Sequence, residues 1–289
     1  MKPAPFDYFD PTTVEETLGL LGEFGDEAKL LAGGQSLLPM LNLRLARPSK
    51  LVDINGVTAL AHLGTDGDDL LIGALTRQRT LEDADLPDGA WSVLPRALHH
   101  VGHVHIRNRG TVGGSIAHAD PAAELPAAFC ALGAHMVIRG PSGEREVPAE
   151  AFFRGYFTTA VGPDELLTAI RVPPWPTRSG AAFVEVARRH GDFAQVGVAA
   201  AVAIGDEGEV RRAGIAVAGV ATEPVIAVAV VDGLVGQQPA AALVEQLAAE
   251  FAADLTPPAD LHGTAEYRRQ LVRHLLPRAV DQSVRAALT

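Results

Sequence analysis

Residues 31–36 read LAGGQS and residues 107–126 read RNRGTVGGSIAHADPAAELP, so the chain carries two glycine pairs with hydroxyl side chains close by. Gly33 and Gly34 fall where a strand ends and a helix begins, with Ser36 available as a cap, and Gly113 and Gly114 repeat the arrangement between Thr111 and Ser115. In such turns backbone N–H groups can point outward together, and a missing Cβ lets a phosphate oxygen approach them. One pair alone reads as a plain left-handed turn. Two loops facing each other would offer donors to both sides of a pyrophosphate, which carries two negative charges, and so clamp one dinucleotide between two subdomains. Downstream, Glu124 has a carboxylate that could accept hydrogen bonds from neighbouring ribose hydroxyls, although on spacing alone it reads as a solvated helix glutamate. Asp120 precedes Pro121, which fits a helix N-cap with proline at the first helical position.

Other chemistries find little support. Histidines 99, 100, 103, 105 and 118 crowd one region, but no acidic or cysteine ligand recurs with zinc-site spacing, and no metal is assigned. The sequence has no GxGxxG, GxxxxGK[ST] or HExxH fingerprint and no GxSxG nucleophile elbow. Its one cysteine, Cys130, rules out an internal disulfide and a four-cysteine iron–sulfur site. The chain reads as one that holds something and does not attack it.

The elements that must position these loops follow from local pattern. In PTTVEETLGLLGEFG, Thr13 and Glu16 have capping-box spacing, Val14, Leu18 and Leu21 share a face, and Gly25 can end the helix. AKLLAGG reads as a short buried strand, SLLPMLNLRL as a helix distorted by Pro39, and KLVDI as a second strand, which together make a small α/β unit. DDLLIGALTR follows a TDGD turn, GAWSVLPRALHHVG has helical spacing, and HMVIRGPSGEREVP is two strand-like arms about a Pro-Ser-Gly turn. DELLTAIRVPP ends in a proline pair that suits a linker, so a boundary is expected near Pro176. Beyond it, AAFVEVARRHGDFAQVGVAAAVAI and VRRAGIAVAGV alternate or run apolar like strands, and with two helical segments, AALVEQLAAEFAADL and AEYRRQLVRHLLPRAV, read as a separate α+β domain.

With 289 residues there is room for two cores, and 47% hydrophobic with 20% charged residues is an ordinary globular composition. Acidic residues outnumber basic ones 35 to 24 without a Lys/Arg block, so nucleic acid is an unsuitable partner. The start lacks an apolar h-region and runs such as VGVAAAVAI are too short to cross a bilayer; a cytoplasmic protein without a transmembrane segment is expected.

AGGQSLLPMLNLRLARPSKLVDI (32–54) and HIRNRGTVGGSIAHADPAAELPA (105–127) closely resemble the FAD-binding medium subunit of molybdenum hydroxylases of the carbon monoxide dehydrogenase and xanthine dehydrogenase type. ARRHGDFAQVG and EYRRQLVRHLLPRAV resemble the C-terminal domain of the same subunits, so the resemblance covers nearly the whole chain. It implies an α+β protein with a two-subdomain FAD-binding fold of the vanillyl-alcohol-oxidase (PCMH) type over residues 1–176, split at about 55/56. A C-terminal α+β domain of the CO dehydrogenase flavoprotein type would follow over 177–289. Carried over by position, Ala32, Gly33, Gly34, Gln35 and Ser36, with Thr111, Val112, Gly113, Gly114 and Ser115, become the FAD pyrophosphate loops. Glu124 takes the place of the acidic residue that binds ribose or adenine, and Leu167 matches a leucine packed near the adenine end. Many relatives have Asp at Glu124, Asn at Ser115 and Lys near Glu185.

The resemblance further implies two partners, a large subunit with a molybdopterin cofactor and a small subunit with 2Fe–2S clusters, assembled as a dimer of heterotrimers. FAD on this chain would pass electrons to an external acceptor. Because a chain with only Cys130 cannot hold a cluster, its flavin would be fed from elsewhere. Two alternatives stay open: a self-contained FAD-dependent oxidase of the same fold, often with a covalent His or Cys link, and a non-catalytic dinucleotide-binding assembly module.

Overall fold

The computed structural model describes residues 2–289. The chain opens with β1 (Asp7–Phe9), α1 (Val14–Phe24), β2 (Ala28–Leu31), α2 (Leu37–Asn42) and β3 (Lys50–Asp53), whose strands form a parallel sheet in the order β1-β3-β2. The capping box is complete: Thr13 accepts from the Glu16 N–H, and the Glu16 carboxylate accepts from the N–H of Thr13. Gly25 ends the helix at φ +49°, a conformation open to glycine without strain. The expected strand over AKLL is present but only half-buried, because it lies at the edge of this small sheet.

The middle of the chain contains β4 (Leu63–Asp66), β5 (Asp69–Gly73), α3 (Gln78–Glu82), α4 (Val93–Leu98), α5 (Val104–Arg107), α6 (Val112–His118) and α7 (Glu124–Leu132). It continues through β6 (His135–Gly140), β7 (Gly143–Pro148), α8 (Ala149–Phe152), β8 (Phe153–Gly155), β9 (Thr158–Thr159) and β10 (Leu166–Val172). An antiparallel sheet in the order β4-β5-β10-β6-β7 is its frame, and both expected turns join neighbouring strands of it.

The last third supplies β11 (Ser179–Val186), β12 (Val196–Ile204), β13 (Val210–Ala218) and β14 (Val225–Ile226) as a four-stranded antiparallel sheet. It also supplies α9 (Val228–Leu234), α10 (Ala241–Asp254) and α11 (Ala265–Leu288), and α11 crosses β11 and β12. The approach is close enough that a Cβ on Gly180 would strike the α11 backbone at Ser283 and Ala287, while the Ser283 hydroxyl donates to the Ala200 carbonyl at 3.0 Å.

The last third has a core of its own, built from β11–β13 and α9–α11 over residues 184–287, and its sheet also packs its other face against the middle region. Every residue of α7 is buried, and the helix lies against β12 and β13 as well as against α4, so the middle region and the last sheet share one apolar core. Gly214 on β13 lets the Ala131 carbonyl come within side-chain distance of its Cα. Two caps also differ from expectation. Asp120 accepts from the Ala122 N–H at 2.9 Å and so closes a turn, while α7 starts later, after Ala123. Ser36 precedes α2 but its hydroxyl makes no capping bond.

Candidate functional site

The two glycine loops touch. A Cβ built on Gly33 would lie 2.5 Å from the Arg109 carbonyl, 2.8 Å from the Gly110 Cα and 3.0 Å from the Thr111 nitrogen. One built on Gly114 would come within 3.8 Å of the Ala32 Cβ. The first loop leaves β2 and enters α2, and the second joins α5 to α6 and packs on Ala74 just beyond β5. Gly34 is at φ +73°, the left-handed conformation that turns the chain from strand to helix, and its neighbours are Leu31 and Leu38.

The loops contribute unequally to a possible ligand. The N–H groups of Gly33, Gly34, Gln35 and Ser36 meet no acceptor among the described residues, while Gln35 Nε2 donates back to the Gly33 carbonyl at 3.0 Å. In the second loop the donors are taken: Val112 N–H by Thr76, Gly113 N–H by Ala74, Gly114 N–H by the Thr111 hydroxyl and Ser115 N–H by the Thr111 carbonyl. Gly113 is buried, and a Cβ there would lie 2.5 Å from the Ala74 Cβ, so its glycine is required by packing of the protein on itself. Successive unpaired N–H groups over residues 33–36 form a concave anion site, while the first-turn donors of α6 are spent within the protein and hold the second loop in place. That donor set fits a pyrophosphate.

Residues 4–175 match the family described as FAD binding domain in molybdopterin dehydrogenase. The chain belongs to this family. Residues 181–283 match the CO dehydrogenase flavoprotein C-terminal domain. The alpha subunit of the 6-hydroxypseudooxynicotine dehydrogenase complex of Paenarthrobacter nicotinovorans is 39% identical, over 99% of this chain and 97% of the relative. The beta subunit of caffeine dehydrogenase from Pseudomonas sp. (strain CBB1) is 38% identical over 98% and 96%. Among solved structures, carbon monoxide dehydrogenase from Hydrogenophaga pseudoflava, in a form lacking the Mo-pyranopterin moiety, superposes with TM-score 0.95 at 36% identity over 99% of each chain. The chain is thus an oxidoreductase subunit with an FAD-binding domain.

Within this FAD-binding domain, Glu124 and Leu167 stand apart from the contact between the loops. Glu124 opens α7 with 5% of its surface exposed, and burial pushes its carboxyl up to about 8, with the Glu185 and Asp120 carboxylates adding to the shift. It is therefore a largely protonated acid near neutral pH in the ligand-free chain, where a solvated carboxylate was the alternative. Leu167 is buried on β10 opposite Ile138, at a bulge in the strand. Its neighbour Thr168 accepts from the Ala74 N–H at 2.9 Å, directly beneath Gly113.

Four of the five histidines gather where α4 and α5 meet the loop after β11, with His99 and His103 both against His190, His105 against His103 and His100 Nδ1 3.2 Å from Glu185 Oε1, while His118 packs on Phe157. No group of three or more His, Cys, Asp or Glu side chains among the described residues has metal-binding geometry. Cys130 is buried in α7 and its thiol is pushed up to about 12 by burial, which leaves it inert as a nucleophile. Sequence reasoning passed over Asn55 and Arg77, which bridge the two loops. Their only local signal is a polar residue just beyond a strand and an arginine between buried neighbours.

Proposed function

We propose that the chain is the FAD-carrying electron-transfer subunit of a molybdenum hydroxylase. A small subunit with 2Fe–2S clusters delivers electrons to it, a large subunit with the molybdopterin cofactor oxidises the substrate, and an external acceptor takes the electrons away. The assembly we propose is a dimer of heterotrimers. The observation that carries this reading is the row of unpaired N–H groups over residues 33–36, in a loop that touches the second glycine loop at Gly33 and Gly114. The single buried cysteine supports the division of labour, because this chain has no thiolates for a cluster of its own.

Bound FAD supplies the change between two-electron and one-electron transfer; the chain's own residues bind and orient it. Residues 33–36 would hold the pyrophosphate through backbone donors, and Gly33 keeps the Arg109 carbonyl within reach of the first loop. Denaturing the purified chain in acid and identifying the released nucleotide by chromatography tests the reading. Stoichiometric free FAD, with large and small subunits co-purifying from co-expression, is the expected result. A yellow pellet without free FAD would favour a covalent flavin oxidase. Failure of the chain to take up added FAD, alone or with both partners, would sink the proposal.

A further inference from the structure

Between the two loops runs a relay of side-chain bonds. Asp53, at the end of β3, accepts from the Asn55 backbone N–H at 3.0 Å and from its Nδ2 at 2.6 Å, and its other oxygen accepts from the Tyr8 hydroxyl at 2.8 Å. So held, Asn55 Nδ2 also donates to the Ala32 carbonyl at 2.8 Å, at the root of the first glycine loop. The Asn55 amide oxygen accepts from Arg77 Nη2 at 2.8 Å, and Arg77 Nη1 donates to the Arg109 carbonyl at 2.6 Å. Arg77 is itself stitched to the second loop, since Val112 N–H donates to the Thr76 carbonyl and Gln78 N–H to the Gly110 carbonyl.

The Arg109 carbonyl is therefore fixed twice. It is the acceptor of the Arg77 fork and also the atom that a side chain at Gly33 would strike. Asp53, Asn55 and Arg77 thus connect the backbone of one loop to the backbone of the other, the first two through a local turn and the last through bonds that span 22 and 32 residues. A guanidinium is suited to the task, because its planar fork reaches two acceptors at a set separation, whereas an ammonium is a single point on a flexible stem.

We infer that Asn55 and Arg77 are positioning residues that fix the spacing of the two glycine loops and so set the width of the pyrophosphate site. The inference rests on the reading of that site as an FAD site. Neither side chain needs to touch the cofactor. Without the relay, Ala32 and Arg109 lose their common tether, and the donors of residues 33–36 no longer meet both phosphates at once.

The test is the dissociation constant for FAD of the flavin-depleted full chain, with partner subunits where they co-purify, measured by flavin fluorescence for wild type, Asn55→Ala, Arg77→Ala and the double variant. Each single change is expected to weaken binding roughly tenfold or more, as for a lost hydrogen bond to a charged group. The double variant should lose little beyond the weaker single, because both residues belong to one relay. Millimolar guanidinium should restore binding to Arg77→Ala, which a merely misfolded protein would not allow. Unchanged affinity in either single variant, or fully additive losses in the double, would overturn the inference. If Arg77→Ala does not fold, Asn55→Ala and Arg77→Lys decide: Lys must fail to restore tight binding. Wild type serves as the control for the underlying reading, since a wild-type chain that binds no FAD overturns that reading first.

Discussion

The Arg109 carbonyl occupies the space a side chain at Gly33 would need, 2.5 Å from the position of its Cβ. A glycine in the first loop is thus demanded by the backbone of the second. The loops were expected to face each other across a ligand; they are already in contact at one end.

Gly33→Ala should force the loops apart, since the atoms it meets are backbone and cannot rotate away. Overpacking of this kind costs about 1–3 kcal/mol. Purified variant protein should carry much less FAD than wild type while keeping its far-ultraviolet circular dichroism. Full flavin occupancy would show that the contact is not part of the site.

Gly113→Ala acts differently. Its Cβ would meet the Cβ, Cα and carbonyl of Ala74 within 2.7 Å, so the flavin-free protein itself should lose stability, by about 1–3 kcal/mol, in urea unfolding. Truncating Ala74 to glycine should not repair it, because two of the three offending atoms are backbone. A variant whose flavin-free stability matches wild type would contradict this account of Gly113.

Glu124 predicts a pH dependence. Its folded-state pKa of about 8 exceeds the ordinary 4.5. Between those values the folded chain keeps a proton that the unfolded chain has lost, so stability falls as pH rises through that window and levels off above about 8. The loss should be on the order of a few kcal/mol, and Glu124→Gln should remove most of it. Chemical denaturation at pH 5 and pH 8 compares the two proteins; parallel curves would disprove the assignment.

Arg268 is the residue whose loss should loosen the C-terminal region most among its arginines. It is 4% exposed and donates to the carbonyls of Gln195 and Gly219 and to Asp260, while Gly219 N–H holds the Pro121 carbonyl at 2.8 Å beside Glu124. Arg268→Met should cost about 2–4 kcal/mol. Arg285→Met, which breaks an exposed pair with Asp281, should cost under about 1 kcal/mol. Equal midpoints for the two in a thermal melt would refute this ranking.

What the sequence disclosed and what it withheld divides along a physical line. The capping box of Thr13 and Glu16 was legible because both partners lie within one turn, and the β6–β7 hairpin because its turn residues are adjacent. Asp120 was misassigned as a helix cap because an Asp-Pro step serves a turn or a helix start equally well, and only tertiary packing set the start of α7 at Glu124. Gly113 and Gly114 look alike in sequence, yet one packs against Ala74 and the other against Thr111. The bridging role of Asn55 and Arg77 was not legible, since the bonds that join the loops span 22 to 32 residues and no periodicity reports them. The shared core did leave a sign: ELPAAFCAL is apolar all round after its first residue, which is the pattern of a helix with no solvent side.

That helix limits how the chain can be taken apart. A fragment ending near Pro176 would strip β12 and β13 from α7 and present a continuous sheet of alanine, leucine and phenylalanine to water. An apolar face uncovered in this way invites aggregation. The flavin half and the C-terminal half are consequently inseparable as reagents: a minimal flavoprotein excised for reconstitution would have to carry the last sheet with it, or a redesigned outer face on α7.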